Sequence, residues 1–195
     1  MSTGSRAEAG KKLEQYWNSI ASGDGSIPLR SAFKLSSATA PILPYTVIFE
    51  VCEGDLVFRL AGTGIAAHQG IDITGRRYGE FAAPDQVVRA IARVKACHAL
   101  PCGFVSVHRE EYGRGDASEV EVTGLPLRGD EEGGEMMVLV VTPIERGLSA
   151  RRAEPLFMRP ASRIEFIDLG SGTPDDAAII ATLQKQQPHR TEGAP

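Results

Sequence analysis

The chain has 195 residues, 42% hydrophobic and 24% charged, with a formal net charge of −4, the balance of an ordinary globular protein with no basic surface to attract nucleic acid. No stretch approaches the roughly 18 uncharged apolar residues of a membrane helix, and the opening MSTGSRAEAGKKLEQYW lacks the apolar segment of a signal peptide. Cys52, Cys97 and Cys102 are an odd number, so reduced thiols in a soluble, cytoplasmic protein are expected instead of a disulfide framework.

The expected organisation is an N-terminal amphipathic helix in 1–26, one domain over 27–146, and an extension over 147–195 with a short strand, a helix and a disordered tail. In the first segment Leu13, Tyr16, Trp17 and Ile20 stand at i, i+3, i+4 and i+7, an apolar stripe that must dock on something. Part of that stripe is also the surface expected to meet a second chain, because Tyr and Trp anchor interfaces well; a homodimer is expected on this ground. After an irregular piece closed by Pro41 and Pro44 the pattern turns to β.

Tyr45 to Cys52 puts Val47, Phe49 and Val51 on one face, and after the turn Glu53-Gly54-Asp55 the strand from Leu56 to Ala61 alternates Leu56, Phe58 and Leu60 against Arg59, which makes an antiparallel hairpin. Helical segments are expected next, at about 63–69 and 84–99, the second with Pro84 and Asp85 in its first turn and Val87, Val88, Ile91 and Val94 as its buried stripe. Strands are expected at about 103–111, 118–127 and 136–143. MMVLVVTP is apolar on both faces and therefore central, with the Tyr16/Trp17 helix covering its outer side. A basic irregular run, a strand at 163–169 and a helix capped by Thr173 with Pro174 at its first position complete the chain.

Gly62-Thr63-Gly64-Ile65-Ala66-Ala67 fits the G-x-G-x-x-G/A fingerprint of dinucleotide folds, which would make this a nucleotide-cofactor enzyme. The context opposes it. The fingerprint comes after a hairpin strand, no βαβ unit occurs, and the acidic residue at the right distance, Asp85, opens a helix. Gly62 and Gly64 are better read as letting the chain leave a strand sharply and pass close to the sheet.

Gly75-Arg76-Arg77-Tyr78-Gly79-Glu80-Phe81-Ala82-Ala83-Pro84-Asp85 resembles the PAS pattern of a glycine, a polar stretch, an acidic residue, an apolar pair and Pro-Asp. With LEQYWNSIASGDGSIPLRSAF, APILPYTVIFEV and FRLAGTGIAAHQGIDITGRRYGEF, the chain from about Leu13 to Ile144 is similar to a bacterial family of small PAS proteins with a Tyr-Trp N-terminal helix and an R-x-x-G-T core, here Arg59, Gly62 and Thr63; FIDLGSG at 166–172 is similar to its C-terminal end. The resemblance implies an α+β fold with a five-stranded antiparallel sheet, helices over one face, and a small cavity between them. It implies a non-catalytic sensory or regulatory role, with a small molecule in the cavity and output through an unidentified signalling partner; a ligand-free adaptor is the alternative. The cofactor stays unknown, since PAS ligands differ and fold does not fix function. Flavin photochemistry through the reactive cysteine of an Asn-Cys-Arg-Phe run is excluded, because GRRYGEF stands there.

Alternation and resemblance together place Val47, Phe49, Val51, Phe58, Leu60, Ile65, His68, Val120 and Val122 on or near the cavity. His68 is the polar candidate for a haem or a carboxylate ligand, weighed against a hydrogen-bonded helix-end histidine. Arg59 is either an exposed strand arginine or a clamp on the carbonyls of the Gly62 turn. Cys97-His98 with Cys102 does not make a zinc site, because adjacent helical residues diverge by about 100° and no fourth ligand is spaced to join them. Asp168-Leu169-Gly170-Ser171 is faintly similar to an aspartic protease loop but has Leu where a hydroxyl residue belongs. No Ser-His-Asp, Cys-His or paired-carboxylate spacing recommends a catalytic site.

Overall fold

The structure, a computed structural model, describes residues 6–23, 25–111, 117–130, 134–144 and 157–186. The tail after residue 186 and most of the basic run before residue 157 lie outside the described residues. Helix α1 (Glu8–Ile20) is followed by two single turns of 3-10 helix (Arg30–Ala32 and Leu43–Tyr45) and by the hairpin β1 (Thr46–Cys52) and β2 (Asp55–Ala61). The hairpin turn has two residues, not three: Cys52 pairs with Asp55, and Glu53 and Gly54 both take positive φ, 49° and 78°, as a type I′ turn requires.

Register then departs from simple alternation. Val47 faces Ala61 and Ile48 faces Leu60, but Phe49 faces Phe58, so Arg59 is an extra residue in β2. A one-residue bulge sends the side chains beyond it to the other side of the sheet. Leu60 accordingly packs with Ile48 beneath α1, away from Phe58.

Helices α2 (Thr63–Gln69) and α3 (Pro84–Ala99) cross to the long strands β3 (Cys102–Glu111), β4 (Ala117–Arg128) and β5 (Glu135–Pro143). The order β2-β1-β5-β4-β3 puts β5 in the middle, and all strand pairs among the described residues are antiparallel. The two-faced apolarity of β5 is used on both sides: Met136, Val138 and Val140 join Leu13 and Trp17, while Met137 and Leu139 join Val47, Phe49 and Phe58. The sheet does not stop at β3. Two further strands, β6 (Phe157–Met158) and β7 (Arg163–Asp168), pair in turn along its outer edge, and α4 (Asp176–Gln186) comes last. The cap of α4 is Asp175, whose Oδ1 accepts the Ala177 amide at 2.9 Å, two residues later than the Thr173 cap expected from sequence.

The α1 stripe serves its own chain. Leu13 and Trp17 are 0% and 3% exposed, and the Trp17 indole donates to the Pro126 carbonyl at 2.7 Å. Tyr16 is half-buried, edge-on to Phe33, with its hydroxyl bonded to the Lys34 carbonyl at 3.2 Å, and Ile20 is half-buried beside the same core. Leu13 and Trp17 are thus taken up by the sheet, while Tyr16 and Ile20 stay half-buried beside it. On α3 the buried stripe is Gln86, Val87, Val94 and Cys97, with Ile91 half-buried; Val88, expected inside, is 43% exposed.

Candidate functional site

Between the sheet and helices α2 and α3 lies a cavity of about 180 Å³. Its apolar wall is made by Val47 and Phe49 of β1, Leu56 and Phe58 of β2, Val122 of β4, Leu139 and Val141 of β5, and Ile65 of α2. Its position is set by local rules. Gly62 lets β2 turn directly into α2, since a Cβ there would collide with the Leu43 and Pro44 carbonyls, and Thr63 opens the helix behind it. Gly75, at φ 82°, lets the returning chain lie against β2: its amide donates to the Phe58 carbonyl at 2.7 Å, and the Phe58 amide to the Arg76 carbonyl at 3.0 Å. Pro84 then starts α3, with Asp85 in its exposed first turn.

The remaining wall is polar. On β3, Phe104, Ser106, His108 and Glu110 alternate toward the cavity. His108 Nδ1 lies 3.3 Å from the Arg159 carbonyl and Nε2 lies 2.9 Å from Ser106 Oγ. A carbonyl only accepts, so Nδ1 carries the proton and Nε2 accepts from the Ser106 hydroxyl. Burial lowers the His108 pKa from its ordinary 6.5, against the opposing pull of the Arg159 carbonyl. The shift favours the neutral imidazole. Tyr78 closes one side; burial raises its pKa to about 12, and its hydroxyl points at Met158 Sδ, 3.7 Å away. Met158, Pro160, Ala161 and Ile164, all from the C-terminal segment, complete the lining.

Charged groups at the wall are engaged. Arg93 grips Asp176 of α4 with Nε–Oδ1 at 2.7 Å and Nη2–Oδ2 at 3.0 Å, Arg89 stands 3.7 Å from Asp85, and Glu110, 1% exposed, meets His68 Nε2 at 2.7 Å. Gln86 spends its Oε1 on the Ala83 amide at 3.0 Å, as the cap of α3. Gln69, 9% exposed, lines the cavity without a hydrogen bond from its carboxamide to any described residue.

Of the residues expected at the cavity, Val47, Phe49, Phe58, Ile65 and Val122 line it. Val51 and Val120 belong to the same core without lining the space, and Leu60 is on the far face because of the bulge. His68 reaches the cavity only through Glu110. Arg59 pairs with Glu50 at 2.7 Å across the hairpin and is not the clamp on the Gly62 turn. The polar stripe of β3, with Gln69, Gln86 and Arg93, is an addition that sequence reasoning missed. CGFVSVHREE does show a period of two, but both of its faces mix apolar and polar residues, so the inward face is not marked.

Other constellations resolve into structure. Cys97 and Cys102 are fully buried with Sγ atoms 3.7 Å apart, and the pairing and burial raise the Cys97 thiol pKa. His98 turns away to the Met136 carbonyl at 2.9 Å. The Asp168 carboxylate accepts the Gly170 and Gly172 amides at 2.8 and 2.9 Å, which lowers its pKa and organises a turn. The fingerprint glycines stand in an antiparallel setting, so the dinucleotide crossover is absent among the described residues. The arrangement as a whole suits the holding of a small, mainly apolar molecule against a few neutral hydrogen-bonding groups.

A family model of the PAS domain matches residues 5–140. No curated protein matches the sequence. Among solved structures, the chain is similar to a PAS domain from Colwellia psychrerythraea (12% identity, 55% of this chain and 95% of that one, TM-score 0.40). It is also similar to the light state of the blue-light photoreceptor Aureochrome1 LOV (17%, 58% and 91%, TM-score 0.40) and to the PAS domain of an HTR-like protein from Haloarcula marismortui (20%, 54% and 87%, TM-score 0.34). No helix among the described residues is long and apolar enough to cross a membrane. With a family match over most of its length, the chain belongs to the PAS domain family.

Proposed function

We propose that this PAS protein is a non-catalytic sensory module that takes a small molecule into the cavity between β1, β2, β4, β5 and the helices, and reports its presence through protein contacts. The observation that carries the reading is the cavity itself, about 180 Å³ with an apolar wall and one carboxamide, that of Gln69, opening onto it without a hydrogen bond to a described residue. An apolar cavity of about 150 Å³ is enough to hold benzene.

The C-terminal segment is the element best placed to carry a response, because Met158 and Ile164 touch the cavity while β7 and α4 lie on the outside of the domain. Its partner is a signalling protein or a second copy of the chain. The reading is tested on freshly purified full-length protein by native mass spectrometry and by NMR titration with toluene. A small-molecule adduct, or shifts confined to residues such as Phe49, Phe58 and Leu139, is expected. Neither an adduct nor a shift leaves a ligand-free adaptor and overturns the sensor.

A further inference from the structure

We infer that the cavity selects an uncharged amphipathic molecule, a single ring or short acyl chain with one amide, carbonyl or hydroxyl group, and that the Gln69 carboxamide reads that group. The inference rests on the cavity being a ligand site and adds the class of ligand.

Gln69 decides it. A side-chain amide that opens onto a cavity keeps its donors and its acceptor available to whatever enters. Gln69 is 9% exposed as a residue, and its carboxamide opens onto the cavity with no hydrogen bond to a described residue. Its neighbours at the wall are also neutral. Gln86, 7% exposed, has Oε1 committed to the Ala83 amide, and its Nε2 donors remain. Ser106, 2% exposed, gives its proton to His108 and keeps an acceptor oxygen. These three side chains thus offer donors and acceptors without charge.

Charge at the same wall points the same way. Arg93 is held in two-pronged fashion by Asp176, and the buried Glu110 carboxylate meets His68. A carboxylate seated on Arg93 or an ammonium seated on Glu110 would have to compete with these pairs, and Arg89, the other lining cation, is 44% exposed beside Asp85, where solvent screens any new pair. Size sets the remaining limit. A cavity of about 180 Å³ exceeds only slightly the roughly 150 Å³ that accepts benzene, which fits one ring or a short chain.

The test uses the isotope-labelled full-length chain and four probes of one shape: toluene, benzamide, benzoate and benzylamine, titrated by NMR. Toluene and benzamide are expected to bind, with benzoate and benzylamine at least tenfold weaker than benzamide. In Gln69→Leu the affinity for benzamide relative to toluene is expected to fall about fivefold, the value of one hydrogen bond. Gln69→Met, unbranched and close in shape, is expected to do the same, and retained toluene binding shows that either variant is folded. An unchanged benzamide-to-toluene ratio in both variants, or a charged probe binding as well as benzamide, overturns the inference while toluene binding leaves the cavity a ligand site. If none of the four probes binds, both readings fall together.

Discussion

Arg93 and Asp176 face each other in a two-pronged ion pair that joins the cavity wall on α3 to the C-terminal helix α4. Both side chains are partly shielded, at 20% and 33% exposure, so the pair contributes more than an open surface contact, on the order of 1 kcal/mol. Asp176→Asn keeps the shape and removes the charge. It is expected to lower overall stability by about that amount and to speed amide exchange selectively in α4. Exchange in α4 indistinguishable from the parent protein would show that the packing of α4 on α3 holds the helix unaided.

Trp17→Ala should act on folding, not on association. The indole is 3% exposed, sits over Leu125, Leu127 and Val138, and donates to the Pro126 carbonyl. Removing a buried tryptophan costs roughly 3–5 kcal/mol from lost transfer energy and the cavity left behind. Chemical denaturation is expected to show that loss, with the sedimentation coefficient of the folded fraction unchanged. A variant of parental stability whose sedimentation shifts to a smaller species would place Trp17 in an interface.

The place of α1 is legible in the sequence, but the depth of its burial is not. The i, i+3, i+4, i+7 spacing of Leu13, Tyr16, Trp17 and Ile20 announces the helix, and the two-faced apolarity of β5 announces that something must cover it; together they place α1. Whether any of the stripe remains for a second chain depends on how deeply Trp17 sinks, and periodicity carries no depth. Alternation also finds the cavity face of β1, where Val47 and Phe49 both line the space. It fails for Leu60 because a bulge at Arg59 leaves no mark in composition; an exposed arginine looks the same in a regular strand. The polar side of the site is hidden for another reason. Ser106, His108 and Glu110 come together with Gln69 and Arg93 only through the packing of three separate elements, and such non-local groupings have no spacing of their own in the chain.

Gly62→Ala is expected to be severe although Gly62 has an ordinary φ of −66°. The reason is close approach, not conformation. An added methyl would meet the carbonyl oxygens of Leu43 and Pro44, which belong to backbone and cannot swing aside. The turn before β1 would have to shift, and with it the Thr46 carbonyl that accepts the Gly62 amide at 2.8 Å. Overpacking of this kind costs about 1–3 kcal/mol. A Gly62→Ala protein as stable as the parent, or more so, would contradict the close contact.

Tyr78 gives a prediction in pH. Burial raises its pKa from 10.0 to about 12, with Arg93 opposing the shift. The folded protein therefore holds the phenolic proton more tightly than the unfolded chain does. The associated stability is complete below pH 10.0 and is lost as the pH climbs toward about 12. Two units correspond to at most about 2–3 kcal/mol, and since the ring borders a cavity that water can enter, the lower end is the better expectation. Denaturation curves collected from pH 9 upward should thus separate the parent protein from Tyr78→Phe, which keeps the ring against Phe58 and has no proton to lose. The parent is expected to lose about 2 kcal/mol more than the variant over this range. Absorbance at the tyrosinate band adds a direct reading: of the four tyrosines, one is expected to ionise well after the others, and that late component to vanish in Tyr78→Phe. If all four titrated near 10 while the protein was still folded, Tyr78 would be in free contact with solvent and the wall it forms would be open.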